Sequence, residues 1–173
     1  GLICNAVGGA PAEAFIDRKT LEFNPTLVDI LYNWKENDMI QDWCRGRAAK
    51  NSAKSNNKLQ RHPYEPCYLY ETGIAPIASY PIRGAIWYQG ESNSGEDASI
   101  YQATMEALVS CLRSTWQDDT LPFCFMQIAP FTRWLGCTGE GYAVVRHQQD
   151  LAAASIPGCY MSNVMDLGEH DDI

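Results

Sequence analysis

Four short apolar stretches along this chain have the length and composition of buried β-strands. They occupy residues 2–7, 83–88, 123–128 and 160–165. Between them, apolar residues recur at helical spacing over residues 26–34, 39–55, 67–80, 97–116 and 142–154, the third stretch being interrupted by Gly73 and Pro76. Apolar strands that alternate with helices predict an α/β fold, in which helices cover both faces of a parallel sheet and give three layers.

The clearest helical pattern covers residues 97–116. Asp97 is placed to cap its first turn, because a side-chain oxygen there can accept hydrogen bonds from the free backbone N–H groups. One face of the predicted helix is apolar, and it carries Ile100, Met105, Leu108, Val109, Leu112 and Trp116.

Composition narrows the class of protein. Of 173 residues, 46% are hydrophobic and 20% are charged, as in globular proteins, and the length suits one domain over residues 1–173. The 13 basic and 21 acidic residues give a net charge of −8, which argues against nucleic-acid binding. No apolar stretch reaches the roughly 18 residues of a membrane span. The seven cysteines include no C-x-x-C pair, so no metal site is expected.

The strongest functional signal follows the second predicted strand, where residues 87–93 read Trp-Tyr-Gln-Gly-Glu-Ser-Asn. Open α/β sheets place their binding and catalytic groups at the carboxyl ends of the strands. The side-chain amides of Gln89 and Asn93 can donate hydrogen bonds to a developing oxyanion. Gly8 and Gly9, in a tight turn after the first predicted strand, can offer backbone N–H groups for the same role.

Other residues of the two loops have more than one interpretation. Glu91 either tunes a site or binds sugar hydroxyls, or it organises its own loop. Glu13 is expected to accept hydrogen bonds at the start of the first helix or to orient the loop, and not to act as an acid. Trp87 and Tyr88 are candidate aromatic walls of a sugar site. Trp134, within an aromatic-rich stretch, either stacks on a sugar ring or belongs to the core.

The polar segment after the last predicted strand could supply a carboxylate that orients a catalytic histidine. Its candidates are Asp166, Asp171 and Asp172, with His170 in the same loop. Ser92 suggests a different mechanism, since residues 90–94 match the first two of the three fixed positions of the Gly-x-Ser-x-Gly nucleophile turn. Ser94 replaces the last glycine of that pattern, and no helix follows immediately.

Several blocks resemble a known family of carbohydrate esterases. Residues 87–93 look like the signature of the sialate O-acetylesterase family, within the SGNH hydrolases. Residues 8–15, Gly-Gly-Ala-Pro-Ala-Glu-Ala-Phe, are similar to its Gly-Gly-Thr-Pro-x-Glu-x-Trp block. Residues 62–86 resemble the helix and strand that precede the signature, and residues 171–173, Asp-Asp-Ile, resemble the start of its Asp-x-x-His block.

The resemblance implies a flavodoxin-like SGNH-hydrolase sheet and removal of O-acetyl groups by a Ser-His-Asp mechanism, without metal or cofactor. Asp171 would be the acid of the triad. Gly9 and either Gln89 or Asn93 would form the oxyanion hole, and Glu91 would support the loop. Acetylated sialic acid and acetylated plant polysaccharide are the implied substrates, and the implied location is outside the cytoplasm.

Two parts of the family pattern lie outside this sequence. The family's nucleophile block resembles Gly-Gln-Ser-Asn-Met and precedes the Gly-Gly turn, and its histidine would follow Ile173 directly. The chain is therefore expected to be a partial SGNH-hydrolase domain, whose serine and histidine lie outside it, either in a longer protein or on a companion segment. A non-catalytic carbohydrate-binding or structural fragment is the alternative.

Overall fold

This computed structural model describes residues 1–57, 59–95, 97–130, 133–134 and 137–166. Its strands are β1 Ala85–Tyr88, β2 Phe123–Met126, β3 Arg133–Trp134, β4 Cys137–Thr138 and β5 Cys159–Ser162. Its α-helices are α1 Arg18–Glu22, α2 Asp42–Ala53, α3 Tyr101–Trp116 and α4 Gly139–Ser155. Short 3₁₀ segments cover Ala12–Phe15, Val28–Leu31, Ala75–Ile77, Glu91–Asn93 and Ala98–Ile100, and a π-helical segment covers Tyr70–Ile74.

The main sheet has three parallel strands in the order β1-β2-β5. Ala85 pairs with Phe123, which pairs with Cys159, and this register continues along all three strands. The predicted parallel α/β architecture is thus confirmed, although each strand is shorter than its apolar stretch. β3 and β4 form a separate antiparallel pair.

One face of the sheet is packed into the hydrophobic core. Phe123 and Phe125 are each 2% exposed, and they join one cluster with buried residues of α3 and α4, such as Leu108 and Val145. Burying side chains of this size contributes about 1.5–3 kcal/mol each. The core therefore fixes which way β2 faces and holds the carboxyl ends of the three strands at one edge.

The other face of the sheet is open among the described residues, which do not include the second covering layer. Ile86 is 79% and Tyr160 62% exposed, and Cys124, which lies between them in the register, is also exposed. Successive side chains in a strand point to opposite faces. A continuous apolar stretch therefore predicts two buried faces, but it does not say which residues supply the second covering layer.

The first predicted strand is also absent. Residues 1–7 have no regular secondary structure and are mostly exposed, apart from the half-buried Asn5. A strand needs a neighbour to bind its backbone N–H and C=O groups, and among the described residues β1 is paired only with β2. The apolar residues 2–7 therefore form no part of the described sheet.

The helices differ from their predictions mainly at their ends. The stretch 26–34 forms only the 3₁₀ segment Val28–Leu31, and the stretch 39–55 gives the shorter helix α2. Before α3, the backbone carbonyl of Asp97 accepts the N–H of Ile100, and its side chain makes no capping hydrogen bond. The predicted Asp97 cap was therefore wrong, because a 3₁₀ turn separates this residue from α3.

Candidate functional site

The Gly8–Gly9 turn requires glycine at its second position. Gly9 has φ +76°, and a Cβ there would lie 2.4 Å from the Trp43 ring and 2.6 Å from the Tyr64 hydroxyl oxygen. The Tyr64 hydroxyl donates to the Gly8 carbonyl at 2.8 Å, and the Ser92 hydroxyl donates to the Gly9 carbonyl at 2.9 Å. The Gly9 N–H has no acceptor among the described residues, so this turn can offer a backbone donor.

The loop after β1 is anchored from two helices. The Tyr101 hydroxyl donates to the Gln89 carbonyl at 2.9 Å, and the Gln149 side chain donates to the same carbonyl at 3.2 Å. Gln149 is fully buried, and its side-chain oxygen accepts the backbone N–H of Ile128 at 2.9 Å. A Cβ on Gly90 would lie 2.7 Å from Ile128, so the loop passes close to the segment that follows β2.

Asn93 connects this loop to the Gly-Gly turn. Its Oδ1 accepts the backbone N–H of Ala12 at 3.0 Å and the Gln89 side-chain amide at 2.8 Å. Its Nδ2 donates to Glu13 Oε2 at 2.8 Å. Because the Ala12 N–H can only donate, the atom that faces it must be the amide oxygen. The Asn93 amide group is therefore held in one orientation.

The two candidate amides, Gln89 and Asn93, differ in what they can still donate. Gln89 Nε2 uses its two hydrogens on the Ala10 carbonyl at 3.3 Å and on Asn93 Oδ1. Its Oε1 lies 3.0 Å from the Tyr101 hydroxyl oxygen, so the one hydroxyl hydrogen is shared between this atom and the Gln89 backbone carbonyl. Asn93 Nδ2 has two hydrogens, and only one has an acceptor among the described residues, namely Glu13.

Glu13 is a buried partner of Asn93 that the sequence did not mark as a site residue. It is 1% exposed, and its carbonyl also accepts the N–H of Cys67 at 3.0 Å. Burial raises the pKa of its carboxyl group from 4.5 to about 7, while the hydrogen bond from Asn93 lowers it in part. A buried carboxyl group with a perturbed pKa often marks a functional site. The alternation of Glu13 with apolar neighbours was the available signal.

Ser92 cannot serve as an exposed nucleophile in this arrangement. It is 3% exposed, and its hydroxyl is bound to the Gly9 carbonyl. A nucleophile turn presents its serine hydroxyl to substrate, so the geometry contradicts the alternative mechanism. Ser92 instead joins the two loops.

The adjacent aromatic residues Trp87 and Tyr88 do not form one wall. Trp87 faces the core, with its ring centroid 5.1 Å from that of Phe15 in an edge-to-face contact. Tyr88 is on the open face and is 54% exposed, and partial burial together with the Glu91 carboxylate raises its pKa. Glu91 is half-buried, and its carboxylate has no hydrogen bond within the described part of the chain. Its backbone carbonyl accepts the Ser94 hydroxyl at 2.7 Å.

The remaining predicted residues cannot be placed in this site. Asp171, Asp172 and His170 lie outside the described residues. For Trp134 the structure gives the backbone, which pairs with Cys137, and its side chain lies outside the described part. Asp166 is exposed after β5. The roles of Asp171 and Trp134 stay predictions.

The described residues show neither a membrane-spanning helix nor a cluster of metal ligands. No described helix has the length and apolar character that crossing a bilayer requires. No group of three or more His, Cys, Asp and Glu residues in that part of the chain could hold a metal ion.

Comparison with known proteins identifies the family. The model of the family described as carbohydrate esterase, sialic acid-specific acetylesterase, matches residues 38–173. This chain belongs to that family. The matched residues begin after the Gly-Gly turn, and they include the loop that carries Gln89 and Asn93.

The sialate O-acetylesterase of Rattus norvegicus is 25% identical over 99% of this chain and 34% of its own length. The human sialate O-acetylesterase is 27% identical over 76% of this chain and 28% of its own length.

A solved structure supports the fold independently. The chain superimposes on a carbohydrate acetylesterase from Xanthomonas citri with a TM-score of 0.64 and 27% identity, over 94% of this chain and 29% of the other. The fold is thus the α/β, SGNH-like fold that the resemblance implied. The chain spans about a third of the length of these sialate O-acetylesterase relatives and of this solved structure.

Proposed function

We propose that this chain forms the oxyanion-binding part of a carbohydrate O-acetylesterase, with the Gly9 N–H and the Asn93 side-chain amide as donors. The observation that carries the proposal is the fixed orientation of Asn93, held by Ala12, Gln89 and Glu13. A donor that is already oriented stabilises a developing charge without reorganising during the reaction. Gln89 acts as a positioning residue, because both of its amide hydrogens are in use.

The proposed chemistry is acyl transfer. A serine from polypeptide outside these residues attacks the carbonyl carbon of a sugar acetate, and its proton passes to a histidine, which Asp171 orients. The carbonyl oxygen becomes an oxyanion near Gly9 and Asn93. When the carbon–oxygen bond to the sugar breaks, the sugar oxygen takes the histidine's proton. Water then releases acetate from the serine by the same steps.

Sialic acid as the substrate sugar rests on the relatives' names, and plant polysaccharide rests on the family resemblance alone. Acetylated sialic acid and acetylated plant polysaccharide are the two proposed substrates, and action outside the cytoplasm is part of the same proposal. The companion segment that carries the serine is also proposed, since the family's Gly-Gln-Ser block is not in this sequence.

The test is acetate release by the complete gene product from 9-O-acetylated sialic acid and from acetylated xylan. Asn93→Ala should lower kcat about 100- to 1,000-fold with little change in KM, because the lost donor acts mainly in the transition state. Asn24→Ala is the matched control, since Asn24 accepts one backbone N–H in a surface turn.

Two results would overturn the proposal. The first is a wild-type protein that releases acetate from neither substrate. The second is an Asn93→Ala variant that keeps the wild-type kcat. A thermal melt of each variant separates a catalytic loss from unfolding.

A further inference from the structure

A second polar cavity lies along the carboxyl edge of the sheet, beyond the Gly9–Asn93 site. It measures about 480 Å³, a volume typical of small-molecule sites. Gln127, the first residue after β2, and Asn163, the first after β5, form its floor, and α4 supplies Arg146, His147 and Asp150. Ligands of open α/β sheets bind outside the carboxyl ends of the strands.

Arg146 and Asp150 stand four residues apart on α4, a spacing at which opposite charges usually pair. They form no ion pair, because the Gln127 amide lies between them. Arg146 Nη2 donates to Gln127 Oε1 at 2.8 Å, and Gln127 Nε2 donates to Asp150 Oδ1 at 2.8 Å. No described carboxylate lies within ion-pair distance of Arg146.

The Gln127 side chain is a buried and fully hydrogen-bonded part of the cavity lining. It is 2% exposed and makes four hydrogen bonds, since Nε2 also donates to the Arg146 carbonyl at 3.1 Å and Oε1 also accepts from the Asn163 amide at 3.1 Å. A second nitrogen of Arg146 donates to the Ile128 carbonyl. The guanidinium is therefore fixed, and its remaining N–H groups can serve a ligand.

This arrangement favours a ligand that has both a carboxylate and hydroxyl groups. A carboxylate complements Arg146, and guanidinium groups bind carboxylates through paired hydrogen bonds. Hydroxyl groups can donate to Asp150 Oδ2, which accepts no hydrogen bond among the described residues. A neutral sugar would leave Arg146 without a counter-charge, and a simple anion would gain nothing from Asp150.

We propose that this cavity binds the sugar-carboxylate part of an acidic sugar, with Arg146 as its carboxylate ligand and Asp150 as a hydroxyl acceptor. The identity of that sugar as a sialic acid rests on the proposed function, but its binding requires no catalysis. Gln127 keeps the two charges apart so that each can meet the ligand.

The test is NMR titration of the protein with N-acetylneuraminic acid and with its methyl ester, which keeps the ring but removes the charge. The wild type should bind the acid about tenfold to a hundredfold more tightly than the ester, as expected for a hydrogen bond to a charged group. Arg146→Gln should abolish this preference. Asp150→Asn should weaken the binding of both ligands and leave their ratio unchanged.

Arg113→Gln is the matched control. Arg113 also binds backbone carbonyls, those of Leu121 and Pro157, but these residues precede β2 and β5 at the opposite edge of the sheet. This variant should keep the wild-type preference, and a thermal melt checks that both arginine variants fold.

The wild type alone can overturn the inference. It would do so if it bound the acid and the ester equally, or if it bound neither detectably. An acid preference that survives Arg146→Gln would do the same. Because acetate release is measured separately, a protein that binds the acid but hydrolyses no acetyl ester would contradict the proposed function alone.

Discussion

Glu13 makes the stability of this protein depend on pH in a direction opposite to that of a salt-bridged carboxylate. Its pKa is raised by burial from 4.5 to about 7, so the folded state holds a proton that the unfolded chain releases. Its contribution to stability is complete below pH 4.5 and is lost as the pH rises through 7. Glu13→Gln removes this titration, and its amide oxygen can still accept the hydrogen bond from Asn93.

The magnitude follows from the size of the pKa shift. Each pKa unit corresponds to about 1.4 kcal/mol, and the shift from 4.5 to about 7 is fully expressed only above pH 7. Between pH 5 and pH 8 the wild type should lose about 2.5 kcal/mol of unfolding free energy through this group, whereas Glu13→Gln should not.

The assay is urea unfolding of both proteins at pH 5 and pH 8. Other titrating groups cancel in the difference between the two proteins, so the variant's relative stability should rise by about 2.5 kcal/mol from pH 5 to pH 8. Glu36→Gln is the control, because Glu36 also accepts an asparagine amide, that of Asn33 at 2.8 Å, but is exposed. Parallel pH profiles for Glu13→Gln and the wild type would refute the argument.

Two further predictions concern the turn and the sheet. Gly9→Ala should lower the free energy of unfolding in urea by about 1–3 kcal/mol or more, because Gly9 has a positive φ and an added Cβ would collide with Trp43. Gly8→Ala should change this free energy little, since the space around its Cβ is open. Phe125→Ala should lower the free energy of unfolding by about 3–5 kcal/mol. Ile86→Ser, on the open face of the same sheet, should change it by no more than about 0.5 kcal/mol. Equal losses at these two positions would contradict the described sheet.

The sequence predicts the parallel sheet and the site loop well, because both depend on local patterns. The stretches 83–88 and 123–128 contain β1 and β2, and 160–165 overlaps all of β5 but its first residue, because apolar runs of that length allow few other structures. The polar residues after Tyr88 could be assigned to the carboxyl end of a strand for the same reason. The Gly-Gly turn was predicted because few residues other than glycine adopt such a backbone.

The rest depends on contacts between distant parts of the chain. The Glu13–Asn93 hydrogen bond joins residues 80 positions apart, and no local pattern predicts it. Trp87 and Tyr88 look like one aromatic wall in the sequence, but alternation along β1 places them on opposite faces. Likewise, Arg146 and Asp150 stand at a spacing that favours an ion pair, but the side chain of the distant Gln127 is bonded to both.

Side-chain amides are the common feature of this edge of the sheet. Gln89, Gln127 and Asn163 each come directly after one of the three parallel strands. An amide both donates and accepts without carrying charge, so it can satisfy buried strand ends and also separate charged groups. A carboxylate in place of Gln127 would instead pair with Arg146 and repel Asp150, leaving no free cation in the cavity. Because the amides are neutral, the Glu13 carboxyl group and the Arg146 guanidinium group stay available for their separate roles along this edge.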